Sequence, residues 1–211
     1  VELALNPGWH ADPKVLDTAA RTSLRTRLAS LKLEVSGLML NMSLTAADAA
    51  HEQAMEALRE AAKLSHDLSP GEPPLIETVL GGKPAEWEQI KEAMAARLKN
   101  WAEVAEAGQI TLALKAHVAS AVNSPERLLW LLQQVPSPAL CVAYDYSHFE
   151  VQGIPLESSL EALLPRTRFV HVKDTTGDAS KFQFLLPGDG RTDYAAYFQQ
   201  LKKRHYGGPV V

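Results

Sequence analysis

Residues 139–148 read ALCVAYDYSH, and residues 169–174 read FVHVKD. In each stretch, an apolar run of strand-forming residues ends in polar side chains, which is typical of a buried strand that leads into a loop. Residues 110–117, ITLALKAH, have the same pattern. Ligands of parallel α/β folds bind at the carboxyl ends of the strands, so the polar ends of these runs predict a functional site.

Similar apolar runs recur along the whole chain at intervals of 29 to 40 residues. They begin at Val1, Val35, Leu75, Ile110, Ala139, Phe169 and Pro209. Amphipathic runs separate them, which predicts repeated strand–helix units and a parallel sheet. The fold is therefore either an open doubly wound sheet or a (β/α)8 barrel. No Gly-x-Gly-x-x-Gly follows the first run, so dinucleotide binding has no support.

Several amphipathic runs carry signals for the start of a helix. Thr45, with Asp48 three residues later, resembles a capping box. Ser124, which precedes a proline, and Asp193 are residue types that cap helix N-termini. We therefore predict that helices begin at these three places.

The composition is that of one globular domain. The chain has 211 residues, a formal net charge of −4 and one cysteine, Cys141. A negative balance argues against a nucleic-acid partner, and one cysteine cannot form an internal disulfide. No apolar run approaches the roughly 20 residues that span a bilayer, and the first residues do not resemble a signal peptide. We therefore expect a single domain over residues 1–211, a cytoplasmic location, and neither a membrane nor a nucleic-acid partner.

Six polar side chains lie at the ends of the three quoted runs and are the candidate site residues. They are Lys115, His117, Asp145, His148, His171 and Lys173. Because side chains alternate along a strand, Lys115 and His117 share one face, and so do His171 and Lys173. Neighbouring positions in a barrel would bring all of them to one pocket.

Each candidate also has a purely structural interpretation. Asp145 can cap a loop or pair with a lysine, and Lys115 can extend from the barrel top into solvent. A lone histidine on an apolar strand, such as His171, is more often a hydrogen-bonded core residue than a ligand. The facing of Glu77, in LIETVL, depends on an uncertain strand register. Spacing alone leaves these alternatives open.

The order and spacing of four segments resemble the xylose-isomerase-like TIM barrels, a superfamily of sugar and sugar-phosphate isomerases and epimerases that also contains a zinc-dependent apurinic endonuclease branch. The segments are AYDYSH (143–148), FVHVKD (169–174), LPGDGRTDY (186–194) and HYGGPVV (205–211). The resemblance implies a (β/α)8 barrel that lacks its first strand and the end of its last βα unit in this sequence. It also implies a small carbohydrate substrate, proton transfer next to a carbonyl and, by analogy, a homodimer.

Carried over position by position, the resemblance implies a metal site and a substrate site. Asp145 and His171 match metal ligands of the family. His148 matches a histidine that contacts substrate in the isomerases and metal in the endonucleases. Lys173 occupies a position near the substrate, and His117 is expected to bind substrate beside it. The ion would be Mn²⁺, Mg²⁺, Zn²⁺ or Co²⁺.

One position departs from the family pattern. The family's first metal ligand is a Glu where this chain has Lys115, and a protonated ammonium has no lone pair for a metal. In a first hypothesis, Asp145, His171 and His148 still bind a metal together with a glutamate that the family carries after the position of Val211, and Lys115 lies behind them as a charge or proton donor. In a second, Lys115 replaces the metal, pairs with Asp145 and polarises the substrate, or loses its proton and acts as a base or Schiff-base nucleophile. In a third, the barrel binds a small polar ligand without catalysis.

An isomerase or epimerase with Lys115 and Asp145 as catalytic residues is the reaction we expect. A dehydratase or lyase reaction on the same scaffold is an alternative. An endonuclease is disfavoured, because Phe182 and Phe184 stand where that branch carries Asp and His ligands.

Overall fold

The structure, a computed structural model, describes residues 1–9 and 11–211. The strands are β1 (Glu2–Ala4), β2 (Gly37–Met39), β3 (Leu75–Thr78), β4 (Leu112–Leu114), β5 (Leu140–Asp145), β6 (Thr167–His171), β7 (Asp174–Asp178) and β8 (Lys181–Leu185). The helices are α1 (Thr18–Ser30), α2 (Asp48–Leu68), α3 (Trp87–Ala107), α4 (Pro125–Gln134), α5 (Ser147–Glu150), α6 (Leu156–Leu163) and α7 (Tyr194–Lys203), with short 3₁₀ helices at Pro84–Glu86 and Leu164–Arg166.

Strands β1 to β6 form a parallel sheet in chain order within the described residues. Beyond β6, Val210 pairs in parallel with Val170, which places the predicted run at Pro209 beside that strand. The sheet is strongly curled, since Glu2 on β1 reaches His171 on β6 with a distance of 2.9 Å from Oε2 to Nε2. Six parallel strands curled in this way are part of a TIM barrel, so the predicted fold class is confirmed.

The sheet separates two apolar regions. A large core, which includes Leu112 and Leu114, lies between the strands and the helices. A smaller cluster fills the inside of the barrel and consists of Leu75, Ala113, Cys141, Ala143 and Phe169. Small side chains on β2, β4 and β5 leave room there for the ring of Phe169. A Cβ atom on Gly37 would lie 2.9 Å from that ring, so the barrel interior is closely filled.

Two of the three predicted helix starts are confirmed. Ser124 and Asp193 each accept a hydrogen bond from a backbone N–H in the first turn of the following helix. The prediction at Thr45 is wrong, because the N-cap of α2 is Ala47. The Thr45 hydroxyl instead lies 3.0 Å from the hydroxyl of Ser43, which removes it from the helix end. No helix among the described residues combines the length and apolar character needed to cross a membrane.

An antiparallel hairpin, β7–β8, follows β6 and was not predicted from the sequence. Its first residue, Asp174, is a buried carboxylate that accepts hydrogen bonds from the backbone N–H groups of Thr175, Gly188 and Thr192, at 2.9, 3.0 and 2.9 Å. Burial acts to raise the pKa of Asp174, but these backbone donors hold it below its ordinary value. The charged carboxylate therefore fastens both ends of the segment that contains the hairpin.

Candidate active site

The candidate residues form a polar layer above the apolar interior of the barrel. Glu77 lies beside Ala113 in the ladder between β3 and β4, and Asp145 lies beside His171 between β5 and β6. Lys115 comes two residues after Ala113, so it continues the same barrel-facing row at the carboxyl end of β4. The polar layer is therefore a direct result of strand alternation.

Lys115 is the centre of the first of two clusters. Its Nζ atom lies 2.7 Å from Glu77 Oε1 and 3.4 Å from His171 Nδ1. The other ring nitrogen of His171, Nε2, lies 2.9 Å from Glu2 Oε2. These four side chains thus form a continuous chain of polar contacts from β1 through β6 and β4 to β3. The predicted pair of Lys115 with Asp145 is wrong, because the register places the Glu77 carboxylate closer.

The ammonium of Lys115 is stabilised by its surroundings. Burial acts to lower its pKa, but the charges of Glu77 and Asp145 outweigh burial and raise the pKa above its ordinary value. A lysine in this state carries a proton at neutral pH. This favours an electrostatic role and disfavours the use of Lys115 as a base or a Schiff-base nucleophile. Nor does Lys115 extend into solvent, since only 6% of it is exposed.

Asp145 is the centre of the second cluster. Its Oδ2 atom lies 2.8 Å from Lys173 Nζ and 3.4 Å from His148 Nε2. Its Oδ1 atom accepts hydrogen bonds from the backbone N–H and the hydroxyl of Ser147, at 3.2 and 2.5 Å. Burial acts to raise the pKa of Asp145, but His148, Lys173 and Lys115 hold it well below its usual range. Asp145 is therefore a permanent negative charge.

Two neutral imidazoles lie against each other beside Asp145, with their planes tilted by 47°. The rings of His117 and His148 have centroids 4.1 Å apart. Burial, followed by the charges of Lys173 and Lys115, lowers the pKa of His117 to about 4. Burial also lowers the pKa of His148 well below its ordinary value. His148 Nε2 lies between Lys173 Nζ, at 3.3 Å, and Asp145 Oδ2, at 3.4 Å, and it accepts from the ammonium in the tautomer whose proton is on Nδ1.

The hairpin covers this second cluster. Phe184 on β8 packs edge-to-face on His148 with ring centroids 4.9 Å apart, and Lys173 Nζ lies 4.4 Å from the centroid of the Phe184 ring. Within the site, His117, His171 and Lys173 are half-buried, whereas Lys115, Asp145 and His148 are buried. The half-buried groups are therefore the more accessible part of the site.

A metal-like group of ligand atoms also lies in the first cluster. Glu2, Glu77 and His171 offer ligand atoms that all lie within 4.8 Å of one another. Of the three metal ligands predicted from the sequence, only His171 belongs to this group, while Asp145 and His148 surround Lys173. Two carboxylates and an imidazole are suitable ligands for a divalent cation. However, the Lys115 ammonium already lies against two members of the group, so the residues present do not fit a metal while Lys115 is protonated.

Sequence reasoning missed Glu2 and Phe184 and left Glu77 undecided. The contact of Glu2 with His171 spans 169 positions and depends on the curl of the sheet, which no local pattern reveals. Phe184 had a usable signal, because KFQFL alternates polar and apolar residues like a strand with one apolar face.

Known proteins share this fold and part of the sequence. The inosose dehydratase of Bacillus licheniformis is 26% identical over 141 residues, which are 60% of this chain and 46% of the relative. The chain thus spans about half the length of the curated relative that it matches.

Three solved structures are similar over nearly the whole chain. A xylose isomerase domain protein from Planctomyces limnophilus has a TM-score of 0.82 at 15% identity and covers 100% of this chain and 78% of its own. The IolI protein with a bound zinc atom has a TM-score of 0.77 at 19% identity, with 99% and 76% covered. The D-allulose 3-epimerase from Methylomonas sp. in complex with D-allulose has a TM-score of 0.73 at 23% identity, with 99% and 70% covered.

These likenesses establish the fold, and the family follows from the sequence. The family model described as the xylose isomerase-like TIM barrel matches residues 1–211, so this chain belongs to that family.

Proposed function

We propose that this chain is the barrel of a sugar-processing enzyme that moves a proton at a carbon next to a carbonyl group, as in an epimerase or isomerase. The observation that carries the proposal is the pair of ammonium groups, Lys115 and Lys173, that lie on neighbouring carboxylates at the mouth of the barrel. Removing a proton next to a carbonyl places negative charge on the carbonyl oxygen. Fixed cations in a site shielded from water stabilise that charge where it develops.

A half-buried Lys173 gives the substrate its first contact in this proposal. When Lys173 turns its ammonium from His148 to a substrate oxygen, the lone pair on His148 Nε2 becomes free to accept the proton from carbon. The Asp145 carboxylate, 3.4 Å from that nitrogen, stabilises the imidazolium that forms. Asp145 thus acts as a positioning residue, because its low pKa makes it a weak base.

The remaining polar groups complete the substrate pocket. His117 Nδ1 accepts a hydrogen bond from the backbone N–H of Ala119 at 3.1 Å. In the neutral ring the proton is then on Nε2, which makes His117 a donor for a substrate hydroxyl. Lys115, paired with Glu77, supplies a second positive charge. It stabilises the negative charge that develops on the substrate oxygen in this buried site. A small ligand with several hydroxyl groups would match these hydrogen-bond donors.

A dehydratase is the second candidate, and the 26% identity with an inosose dehydratase favours it. Loss of water from a carbon beyond a carbonyl group begins with the same proton removal. The two reactions differ in the fate of the proton that His148 has taken: it returns to a carbon of the anion, or it joins the departing hydroxyl group, which leaves as water. The same residues would serve both reactions.

The test is proton exchange in deuterated water, followed by NMR. The complete protein is incubated with a panel of ketoses, inososes and their phosphates, and the proton next to the carbonyl is observed. Exchange supports the proposal, and the product then separates an epimer from an unsaturated ketone with its ultraviolet absorption. A compound that binds, as seen by NMR line broadening, without any exchange across the panel would support the non-catalytic alternative.

Substitutions test whether the proton exchange takes place at the candidate active site. We expect His148→Asn to lower the exchange rate about a hundredfold or more, because a positioned base contributes that much. The matched control is His205→Asn, since His205 is exposed on the outside of the barrel. Equal rates in the two variants would exclude His148 as the base.

A further inference from the structure

We infer that the Lys115 ammonium takes the place of a divalent metal ion and that removing it uncovers a metal site built from Glu2, Glu77 and His171. This inference concerns the site of the proposed function, but metal binding is measured without a substrate. Failure of the metal-binding test therefore does not imply that the proposed function is wrong, and failure of the proposed function does not imply that the inference is wrong.

The contacts of His171 carry the first step. Lys115 Nζ lies 3.4 Å from His171 Nδ1, and an ammonium has only protons to offer, so Nδ1 acts as the acceptor. His171 Nε2 lies 2.9 Å from a Glu2 carboxylate oxygen, and a carboxylate has only lone pairs to offer, so Nε2 carries the proton. Both ring nitrogens are thus engaged: the lone pair of Nδ1 faces the Lys115 ammonium and Nε2 carries a proton, so neither offers a free lone pair to a metal.

The carboxylates carry the second step. Glu77 is 0% exposed and lies 2.7 Å from the Lys115 ammonium. Among the described residues, Oε2 of Glu77 and Oε1 of Glu2 are buried without a hydrogen bond. Buried carboxylate oxygens require a cation or donors, and here the ammonium is the cation that faces them.

Competition between cations carries the third step. The ligand atoms of Glu2, Glu77 and His171 lie within 4.8 Å of one another, a spacing that a single ion can bridge. An ion bound there would lie within a few ångströms of the Lys115 ammonium and would be strongly repelled in this buried place. Lys115 and a metal ion therefore exclude each other. Substituting glutamate removes the competing charge and adds a carboxylate ligand.

Metal content is the direct test. The complete wild-type protein, Lys115→Glu and Lys115→Gln are each incubated with Mn²⁺ or Zn²⁺, freed of loose ions by gel filtration and subjected to elemental analysis. The matched control is Lys91→Gln, which removes a lysine from an ion pair with Glu88 on the outside of α3. Melting temperatures with and without the ion provide a second readout.

We expect wild type and Lys91→Gln to retain no stoichiometric metal. Lys115→Glu should retain it, with an affinity about a hundredfold or more above that of wild type, and should melt at a higher temperature in its presence. Adding Glu77→Gln to that variant should remove the ion again. Lys115→Gln keeps the test decisive if the glutamate variant does not fold.

Two outcomes would overturn the inference. One is stoichiometric metal in wild type that depends on Glu77, which would show that the ion and Lys115 coexist. The other is folded Lys115→Glu and Lys115→Gln proteins that bind no more metal than wild type.

Discussion

At the scale of single residues, the Lys115–Glu77 ion pair is almost wholly removed from solvent. The two side chains are 8% and 1% exposed. A buried ion pair adds little to stability compared with an apolar pair, but breaking it leaves one charge buried alone. The main contribution of the pair is therefore a fixed positive charge at the barrel mouth, and its contribution to the free energy of unfolding is small.

A double-mutant cycle tests this interpretation of the pair. We expect Lys115→Met to lower the free energy of unfolding by about 3–5 kcal/mol, because it leaves the Glu77 carboxylate buried without a cation. Adding Glu77→Gln should restore most of the loss, as measured by urea denaturation. The control, Lys63→Met, breaks an exposed pair with Glu60 and should change stability little. Equal losses in the single and double variants would contradict the interpretation.

The imidazole of His117 makes stability depend on pH. Its pKa in the folded protein is about 4, below the ordinary 6.5. As pH falls between these values, the unfolded chain binds a proton that the folded protein does not, so stability decreases. We expect the loss from this half-buried ring to be on the order of 1 kcal/mol after solvent screening.

Urea denaturation of wild type and His117→Asn between pH 7 and pH 4 measures this loss. The variant should lose less stability as pH falls through this window, although His148 keeps part of the dependence. The lowered pKa of Asp145 acts in a separate window, because its contribution is lost only as pH falls below about 3.9. Parallel pH profiles of wild type and variant would show that His117 is not held neutral.

Single residues show where sequence reasoning succeeds and where it stops. Alternation in ITLALKAH and FVHVKD predicted that Lys115 and His171 face one pocket, and the structure brings them within 3.4 Å. The choice of partner could not be predicted, because it depends on the register between strands and on the curl of the sheet. Lys115 therefore pairs with Glu77, although the sequence favoured Asp145.

At the scale of elements, the β7–β8 hairpin forms an apolar wall of the candidate site. Phe184 contacts His148 and Lys173, whereas Phe182 packs against Phe184. An aromatic ring beside polar groups can pack against the C–H face of a sugar while the polar groups bind its hydroxyls. The hairpin thus shapes the pocket that the barrel strands supply with charge.

We expect Phe184→Ala to raise KM for exchange about tenfold, because the substrate loses an apolar surface and the site gains water. The matched variant Phe182→Ala removes a neighbouring ring of the same size. It should leave KM nearly unchanged, since the Phe182 ring packs on Phe184 and it is Phe184 that contacts His148 and Lys173. Equal effects of the two substitutions would argue that the hairpin acts through its folding and not through the Phe184 ring.

The parallel strands and the helices were the elements that the sequence predicted best. Their apolar periods lie within single elements, so the runs at Leu75, Ala139 and Phe169 each became a strand. The error at Thr45 has a local cause, since Thr45 lies two residues before the N-cap, Ala47, and its backbone and side chain bond to Ser43 instead. The hairpin escaped prediction because half of it, DTTGD, is polar and resembles a loop.

At the scale of the whole molecule, the curl of the sheet depends on small residues inside the barrel. Gly37 on β2 faces Phe169 on β6, and a Cβ atom there would lie 2.9 Å from the ring. An added methyl group must therefore push strands apart or displace a buried aromatic ring. The same curl brings Glu2 to His171, so the packing below the site determines the geometry of the site.

We expect Gly37→Ala to lower the free energy of unfolding by about 1–3 kcal/mol, the usual cost of overpacking a core. Gly71→Ala is the control, because a Cβ atom at Gly71 meets nothing within 4 Å. Thermal unfolding of both variants measures the difference. A Gly37→Ala protein as stable as the control would show that the barrel interior can relax.

The Asp174 carboxylate has a consequence for how such barrels diversify. Because it binds backbone N–H groups on both sides of residues 176–187, it joins the beginning and the end of that segment at a single point. Every residue except proline has a backbone N–H donor, so this anchor does not require particular side chains in the segment between them. The segment is in effect an exchangeable cassette: a different hairpin can be held at the same two ends while the charged barrel beneath stays unaltered.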